Sequence, residues 1–311
     1  MINTQNTLIY KGFGLNLLSD ILLPELTPIN DQVSMVDIVV QKSDLLKQWS
    51  EVDSNKQKRF VVKENRVMFE VPNTAIFSIE EGNKITVSPM LGAEEDKIRL
   101  YILGTCMGAL LIQRRTIPLH GSAVAINGKA YAFVGDSGAG KSTLAAALIK
   151  EGYQLLSDDI IPVILSDDKL PYVVPSYPHQ KLWEESLNEF GISTFGYRPL
   201  FDRETKYAIP VHSEFTAETL PLAGVYELVK TESNGVEIKV LEGLERFRTI
   251  YMHTYRNFLI PRLGMMEWHF KETAKILNKI DMYKLIRPNS GFTANSLVSL
   301  ILSTINEEER V

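Results

Sequence analysis

One segment combines the residue types that bind a nucleoside triphosphate at the spacing this chemistry needs. Gly135-Asp-Ser-Gly-Ala-Gly140-Lys141-Ser142-Thr143 fits the phosphate-loop pattern G-x-x-x-x-G-K-[ST] without a gap. The glycines let backbone N–H groups turn inward onto phosphate oxygens, the lysine can reach the β- and γ-phosphates, and the serine hydroxyl can ligate Mg²⁺. The predicted nucleotide contacts are Gly135, Asp136, Ser137, Gly138, Ala139, Gly140, Lys141, Ser142 and Thr143.

The segments on either side of this loop occur in the order that such a site requires. Residues 130–134 form a short apolar run typical of a strand, and residues 143–150 are rich in Ala and Leu, which favours a helix ended by Gly152. The amino end of that helix would add its partial positive charge to an anion site. The alternative is a glycine-rich turn without a ligand, which would not require the flanking strand and helix.

Two adjacent carboxylates, Asp158 and Asp159, follow the apolar run at residues 153–156. A helix of about ten residues advances roughly 16 Å from the loop, and a strand of five residues returns about the same distance. A right-handed crossover would then make the two strands parallel and place the carboxylates beside the loop. Because neighbours on a strand point to opposite sides, one can hold Mg²⁺ while the other accepts the proton of an attacking hydroxyl. The alternative is an Asp-Asp pair that starts a turn or caps a helix.

A histidine upstream of the loop is a further candidate. Residues 119–126 are predicted to form a strand that hairpins through Asn127-Gly128 into the strand before the loop. If that hairpin is antiparallel, His120 lies at the loop end of its partner strand, where it could bond a carboxylate or a phosphate oxygen. A lone histidine is more often a structural residue, so that interpretation stays open at this point.

Two basic residues downstream could supply the extra cation that phosphoryl transfer usually recruits. Arg203 and Lys206 lie in a basic, turn-rich segment, residues 198–207. Either could contact phosphate or an acidic peptide substrate. Exposed lysines and arginines are mostly solvated surface, which is the competing interpretation for each.

The residues from 119 to 163 resemble the catalytic domain of the HPr serine kinase/phosphorylase family. The resemblance rests on His120-Gly-Ser-Ala-Val, on Gly135-Asp-Ser-Gly-Ala-Gly-Lys-Ser-Thr-Leu and on Gly152-Tyr-Gln-Leu-Leu-Ser-Asp-Asp159. It is greatest to the smaller branch found with peptide-modification systems, including the lasso-peptide kinases. A weaker likeness reaches residues 10–14 and 22–26, which resemble the N-terminal domain of that branch.

The resemblance implies a role for each matching residue. Lys141 and Ser142 would bind the nucleotide phosphates and Mg²⁺, with Lys141 also acting in catalysis. Asp159 would be the carboxylate on the metal, Asp158 the catalytic base and His120 a catalytic residue on the phosphate side. The sequence leaves open whether the base and metal roles of Asp158 and Asp159 are the other way round.

The chain also departs from HPr kinase proper, and the departures bear on the substrate. That family tends to have an acidic residue after the Lys-Ser pair, where this chain has Thr143, and its second signature loop is not recognisable downstream. Both differences favour a one-way, ATP- and Mg²⁺-dependent kinase acting on a serine hydroxyl of a peptide or protein, such as a ribosomally made lasso-type precursor. The alternatives are a nucleotide-binding regulator and a phosphotransferase directed at HPr or a small molecule.

Composition limits the classes of partner and compartment. The 311 residues carry a net charge of −5, with 33 Lys and Arg against 38 Asp and Glu, so no basic excess indicates nucleic acid. Cys106 is the only cysteine, which excludes an intrachain disulfide and favours a reducing cytoplasm. The start lacks the features of a signal peptide, and the apolar stretch at residues 100–112 is too short to cross a membrane. A homo-oligomer is possible, since HPr kinases assemble as oligomers.

The pattern of the whole chain predicts an α/β fold of two domains. Residues 1–94 contain short β-branched segments punctuated by turn formers, which predicts a mainly β N-terminal domain. Residues 95–311 are predicted to form a phosphate-loop catalytic domain of the HPr-kinase C-terminal type. Within it, residues 180–190 and 294–305 have the amphipathic period of helices.

Overall fold

The computed structural model describes residues 8–29, 35–52, 60–197, 199–200, 203–232 and 235–308. The chain is a mixed α/β protein that divides into two compact units. The first comprises Met1–Pro118 and Tyr255–His269, and the second comprises Leu119–Thr254 and Phe270–Val311. In the part of the chain that the structure describes, no helix is both long and apolar enough to span a bilayer.

The first unit is built on an eight-stranded sheet of order β3-β1-β2-β4-β8-β7-β6-β5. Antiparallel hairpins join β1 to β2 and β5 through β8 in succession, while β2, β4 and β8 are parallel neighbours. The strands are β1 (Leu8–Gly12), β2 (Leu15–Ser19), β3 (Thr27–Pro28), β4 (Ile38–Lys42), β5 (Phe60–Lys63), β6 (Arg66–Val71), β7 (Ala75–Glu80) and β8 (Lys84–Pro89).

Helical residues complete this unit. They form α1 (Leu46–Val52), α2 (Glu95–Tyr101) and α3 (Met107–Gln113), with a π-helical turn at Ile102–Cys106 between the last two. The apolar stretch at residues 100–112 is therefore helical, with a wider turn in its middle. Residues 95–118 belong to the first unit, although the predicted domain boundary lay at residue 94. The physical reason is local anchoring, because Arg99 pairs with Glu25 at 2.9 Å and Gln113 Nε2 donates to the carbonyl of Asn65 at 2.9 Å.

In the residues that the structure describes, the second unit contains ten strands in two sheets. The larger sheet has the order β10-β9-β11-β12-β16-β18-β17, and β10 also pairs with β16, so five of its strands close into a ring. The smaller has the order β13-β15-β14. The strands are β9 (Ile117–Ile126), β10 (Lys129–Val134), β11 (Gln154–Leu165), β12 (Pro171–Val173), β13 (His179–Trp183), β14 (Pro199–Leu200), β15 (Arg203–Pro210), β16 (Leu220–Thr231), β17 (Glu237–Val240) and β18 (Asp281–Pro288).

The remaining helices are α4 (Lys141–Lys150), α5 (Glu184–Phe190), α6 (Gly243–Met252), α7 (Leu259–Arg262), α8 (Met266–Leu277) and α9 (Ala294–Glu308). Helices α4 and α9 pack together over the sheet, and their buried Leu144, Leu148, Leu297 and Ile301 share one core with Phe133 and Tyr226 of the strands. This core fixes α4, and with it the end of the phosphate loop, against the sheet. The predicted helix at residues 294–305 is confirmed as α9.

One local prediction is corrected by the strand pattern. Residues 180–183 belong to strand β13, and the predicted helix begins only at Glu184. Strand β9 lies between β10 and β11, so the strand that carries the carboxylates is not the direct neighbour of the strand before the loop. The predicted β9–β10 hairpin is confirmed as antiparallel, with Asn127 and Gly128 both at positive φ, as a two-residue turn of that kind requires.

Candidate functional site

The phosphate loop connects the last residue of β10 to the first turn of α4. Gly135 has φ 145° and Gly140, the N-cap of α4, has φ 108°, both in the region that side chains disfavour. A Cβ atom on Gly135 would lie 2.5 Å from the carbonyl oxygen of Leu228, so the close approach of β16 also requires glycine. Asp136, Ser137 and Gly138 are exposed, which leaves the outer face of the loop open to solvent.

Lys141 folds back onto this loop. Its Nζ donates hydrogen bonds to the carbonyl oxygens of Gly135 and Asp136, each at 2.9 Å. Burial lowers the pKa of Lys141, and the negative charges of Asp158 and Asp159 oppose that shift. The ammonium group therefore lies at the mouth of the loop with carboxylates nearby.

The first turn of α4 is anchored from two other elements. Gln180 of β13 is buried, and its Nε2 donates to the carbonyl of Ser142 at 3.0 Å. The hydroxyls of Thr143 and of Ser186 in α5 share a hydrogen bond of 2.8 Å. These contacts fix the backbone of Ser142 and Thr143. The first N–H groups of a helix have no partner inside it, so those of α4 can bind an anion at the loop.

Asp158 is a buried carboxylate whose two oxygens are both in use. Oδ1 accepts a hydrogen bond from Ser122 Oγ at 2.6 Å, and Oδ2 accepts one from the backbone N–H of Lys181 at 2.7 Å. The residue is 2% exposed. Its carboxylate therefore connects β11 to β9 and β13 through hydrogen bonds.

Asp159 lies in a more accessible environment and has an unusual backbone. Its φ is 76°, a left-handed conformation inside strand β11, and its side chain is 22% exposed. Oδ2 pairs with Lys181 Nζ at 2.6 Å, and Oδ1 lies 3.7 Å from His120 Nδ1. Burial opposes ionisation, but the charge and hydrogen bond of Lys181 and the charge of Lys206 prevail and hold the pKa of this carboxyl well below its usual range; His120 adds to this effect only at acidic pH, where its ring is protonated.

His120 occupies the position that the hairpin predicts. Its neighbour Gly121 pairs with Val134, so His120 is level with the start of the loop. Its backbone N–H donates to the carbonyl of His253 at 2.7 Å, and the ring of His253 bonds Glu227 at 3.0 Å. Burial lowers the pKa of His120 to about 4 despite the opposing charge of Asp159, so the ring is neutral at pH 7.

The two basic candidates differ in what the structure describes. Lys206 of β15 pairs in register with Trp183, and its Nζ lies 5.5 Å from the centre of that indole ring. Its charge also acts on His120, Lys141 and Asp159, which places it beside the carboxylates and the loop lysine. Arg203 begins β15, and its side chain lies outside the described residues.

Three residues of the site were not predicted. Ser122 and Lys181 hold the carboxylate pair, and Gln180 holds the loop helix. Ser122 stood in the quoted motif two residues after His120, and the alternation of side chains along β9 was a signal that both face the same centre. Gln180 and Lys181 carried no signal, because they come from a separate sheet and from a segment with the period of a helix.

The donor set at this centre suits Mg²⁺ shared with a nucleotide. Within the described ranges, no group of three or more His, Cys, Asp or Glu side chains is arranged to hold a metal. Mg²⁺ bound with a nucleotide usually takes one or two protein oxygens and completes its shell with phosphate oxygens and water. Ser142 and Asp159 offer such oxygens, and Lys141 with the exposed loop suits the phosphates.

Up to about a third of the chain is similar in sequence to HPr kinase/phosphorylases. The HPr kinase/phosphorylase of Lactobacillus gasseri is 31% identical over 109 residues, which are 32% of this chain and 34% of that protein. That of Latilactobacillus sakei is 38% identical over 82 residues, 26% of each chain. The chain thus spans about a third of the length of the curated relatives that it matches.

Solved structures also match part of the chain. The HPr(Ser) kinase/phosphatase from Coxiella burnetii matches with a TM-score of 0.35 and 12% identity, and the match covers 62% of this chain and 99% of that chain. A TM-score this low does not establish a shared fold. No protein-family model matches the chain.

Proposed function

We propose that the protein is an ATP- and Mg²⁺-dependent kinase that transfers the γ-phosphoryl group to a serine hydroxyl of a peptide or protein. The observation that carries the proposal is the convergence of Lys141, Asp158, Asp159 and His120 beside the carboxyl end of β10. The negative charges of Asp158 and Asp159 both act on Lys141, and Asp159 Oδ1 lies 3.7 Å from His120 Nδ1. The partial similarity to HPr kinase/phosphorylases supports the same class of reaction.

The loop binds the triphosphate with its backbone and with Lys141. The unpaired N–H groups of the first turn of α4 and the positive end of its dipole attract the phosphates. Lys141 exchanges its hydrogen bonds to the carbonyls of Gly135 and Asp136 for phosphate oxygens. Positioning and charge stabilisation supply most of the rate in this type of transfer.

Ser142 and Asp159 are the residues that would hold Mg²⁺. When bound, the ion neutralises charge on the β- and γ-phosphate oxygens. Ser142 is suited to this role because its backbone is fixed by Gln180, so its hydroxyl can be aimed at the nucleotide side of the loop.

The different burial of the two carboxylates supports a different role for each. Asp159 is the carboxylate that an incoming hydroxyl or a hydrated metal can reach, because its side chain is partly exposed. Asp158 can act as the base only after it gives up its hydrogen bond to Ser122 or to the backbone of Lys181. We therefore place Asp159 in contact with the reacting groups, where one oxygen of its carboxylate accepts the proton of the serine hydroxyl as the serine oxygen bonds the γ-phosphorus and ADP leaves. Asp158 is treated as the residue that fixes β9, β11 and β13 around it.

His120 works in its neutral form. A neutral ring can donate one hydrogen bond to a phosphate oxygen and accept another at its second nitrogen. Lys206, whose charge reaches the same centre, adds the cation that the transferred phosphoryl group requires. Arg203 is proposed as a further phosphate or substrate contact from the start of the same strand.

The acceptor is proposed to be a serine of a ribosomally made, lasso-type precursor peptide. This finer proposal rests on the sequence resemblance to the peptide-modifying branch and on the differences from HPr kinase proper at Thr143 and downstream. A cytoplasmic homo-oligomer without nucleic-acid or membrane partners is proposed on the same grounds of composition and resemblance.

The test is intact mass spectrometry of candidate acceptors incubated with the protein, Mg²⁺ and ATP. We expect a precursor peptide to gain the mass of one phosphate and HPr to gain none. Lys141→Ala should abolish the gain, whereas Lys150→Ala, which removes a lysine from the other end of α4, should not. Phosphorylation of HPr alone would contradict the peptide proposal. ATP binding without any phosphorylated product would contradict the kinase proposal and favour a regulator.

A further inference from the structure

An arginine on the opposite side of the loop from the carboxylates has the features of a nucleotide contact. Arg287 lies near the end of β18, and its Nη1 donates to Thr293 Oγ1 at 3.2 Å. Its Nε is buried and has no hydrogen-bond partner among the described residues. A buried donor without a partner is costly, so its retention needs an explanation.

The guanidinium group lies against the phosphate loop itself. A Cβ atom on Gly140 would be 3.9 Å from Arg287 Cζ and 4.0 Å from its Nε. Gly140 is the N-cap of α4, so the arginine borders the point where a bound triphosphate would meet the helix. Residues beyond Thr293 form α9, which packs on α4 and holds this border in place.

Strand register places Arg287 beyond the level of the loop. Val134, the last residue of β10, pairs with Glu227 of β16, which in turn pairs with Lys284 of β18. Arg287 comes three residues later on β18, which is about 10 Å further along the parallel strands. It therefore lies at the carboxyl ends of these strands, the edge where ligands of parallel α/β sheets bind.

The two sides of β10 are chemically different. On one side are β9 with His120 and β11 with both carboxylates, and the cations that act on them, Lys181 and Lys206, come from the smaller sheet. On the other side are β16 and β18 with Arg287. A triphosphate with its γ-phosphate at His120 and Asp159 would direct its remaining part toward the β18 side.

We infer that Arg287, oriented by Thr293, binds the nucleoside end of the nucleotide. The inference rests on the proposed function, which supplies the direction of the triphosphate. A guanidinium plane can stack on a base and donate to ribose oxygens, and a lysine lacks that planar shape. Arg287 is thus a binding and positioning residue of the same site.

Calorimetric titrations with Mg²⁺·ATP and with inorganic tripolyphosphate test the inference, because tripolyphosphate lacks the nucleoside. We expect Arg287→Gln to raise the Kd for ATP about tenfold while changing the Kd for tripolyphosphate by less than about twofold. Arg287→Lys should resemble Arg287→Gln, and Thr293→Val should give a smaller loss in the same direction. Lys239→Gln, which removes an exposed cation from the neighbouring strand β17, should leave both unchanged.

The possible outcomes separate the inference from the function it rests on. Unchanged ATP binding by Arg287→Gln, or equal losses for ATP and tripolyphosphate, would overturn the nucleoside assignment while leaving the kinase proposal intact. Full recovery by Arg287→Lys would overturn it as well, since charge alone would then suffice. Failure of the wild-type protein to bind either compound would overturn the proposed function and the inference together. Retained tripolyphosphate binding also shows that a variant is folded at the loop.

Discussion

Asp158 and Asp159 are adjacent in sequence, yet they have different surroundings. One is buried and bonded to Ser122 and the backbone of Lys181, and the other is partly exposed beside His120 and the Lys181 side chain. Sequence could predict the pair and its general place. It could not assign the two roles, because they depend on Lys181, which lies on a strand of the other sheet.

The first prediction concerns these two carboxylates. Asp159→Asn should lower the rate of phosphoryl transfer about 10²–10⁴-fold. Asparagine tolerates the left-handed backbone at this position, but the variant should also be less stable, because Lys181 Nζ loses its carboxylate partner. Asp158→Asn should destabilise the fold by about 1.5–3 kcal/mol, because it replaces a buried charged acceptor of two hydrogen bonds, and should lower the rate by less than Asp159→Asn does. Single-turnover transfer assays and urea unfolding of both variants measure this, and a larger loss of rate in Asp158→Asn would contradict the roles proposed above.

The second prediction concerns the dependence of stability on pH. The pKa of His120 is lowered to about 4 in the folded protein, against about 6.5 in an unfolded chain. Between these values the unfolded chain binds more protons, so stability is fully present above pH 6.5 and is lost as pH falls toward 4. His120→Asn should therefore make the free energy of unfolding less dependent on pH in this window.

Urea unfolding at several pH values measures that slope. His269, whose pKa burial also lowers to about 4, should preserve part of the slope in the variant. His212→Asn is the control for the loss of a histidine elsewhere in the second unit. An unchanged slope in His120→Asn would show that this ring does not resist protonation in the folded state.

At the scale of elements, the prediction succeeded where the signal was local. The two-residue turn at Asn127-Gly128, the helix after the loop and the last helix are all specified by adjacent residues. Strand β13 was missed because its residues run directly into α5, and the apolar Trp183, Leu187 and Phe190 fit the period of one helix. Pairing with β15, at the register Gln180 to Ile209, decided the structure there, and such long-range pairing leaves no local signal.

The third prediction belongs to the loop as an element. Gly135→Ala should destabilise the fold by about 1–3 kcal/mol, because the backbone has φ 145° and the new methyl group would meet the carbonyl of Leu228. It should also weaken ATP binding, since β10 and the loop must move away from β16. Gly235→Ala is the matched control, because nothing lies within 4 Å of its added Cβ. Urea unfolding and calorimetric titration with Mg²⁺·ATP of the two variants provide the comparison.

At the scale of the whole molecule, the sequence predicted a mixed α/β chain but not the path that it takes between its two units. Composition and periodicity depend on residues that are close in sequence. Residues 95–118 belong to the first unit because of contacts between residues that are far apart in sequence, such as Arg99 with Glu25 and Gln113 with Asn65. The return of Tyr255–His269 to that unit had no signal in the pattern either.

The fourth prediction concerns stabilisation by nucleotide. A ligand that binds only the folded protein stabilises it by about 2.7 kcal/mol at a concentration of 100 times its Kd. Mg²⁺·ATP should therefore raise the Tm of the wild-type protein and of Lys150→Ala, but not that of Lys141→Ala. Because two units are present, the transition should be followed by more than one probe. A shift of equal size in Lys141→Ala would show that ATP binds elsewhere than at the loop.

The first unit is assembled from two distant parts of the chain, and this has a consequence during translation. Tyr255 packs so closely on α3 that a Cβ on Gly108 would lie 2.5 Å from its ring, and Phe258 packs on Phe60 at 5.0 Å between ring centres. Those aromatic rings are synthesised only after Leu119–Thr254, the larger part of the second unit, has been made. Translation proceeds at roughly 5–20 residues per second. On the order of ten seconds therefore pass on the ribosome between synthesis of the first unit's sheet and synthesis of its last packing partners. The nascent chain therefore exposes the apolar surface around Gly108 and Phe60 for that interval, and the unit is completed only once Tyr255–His269 has been made.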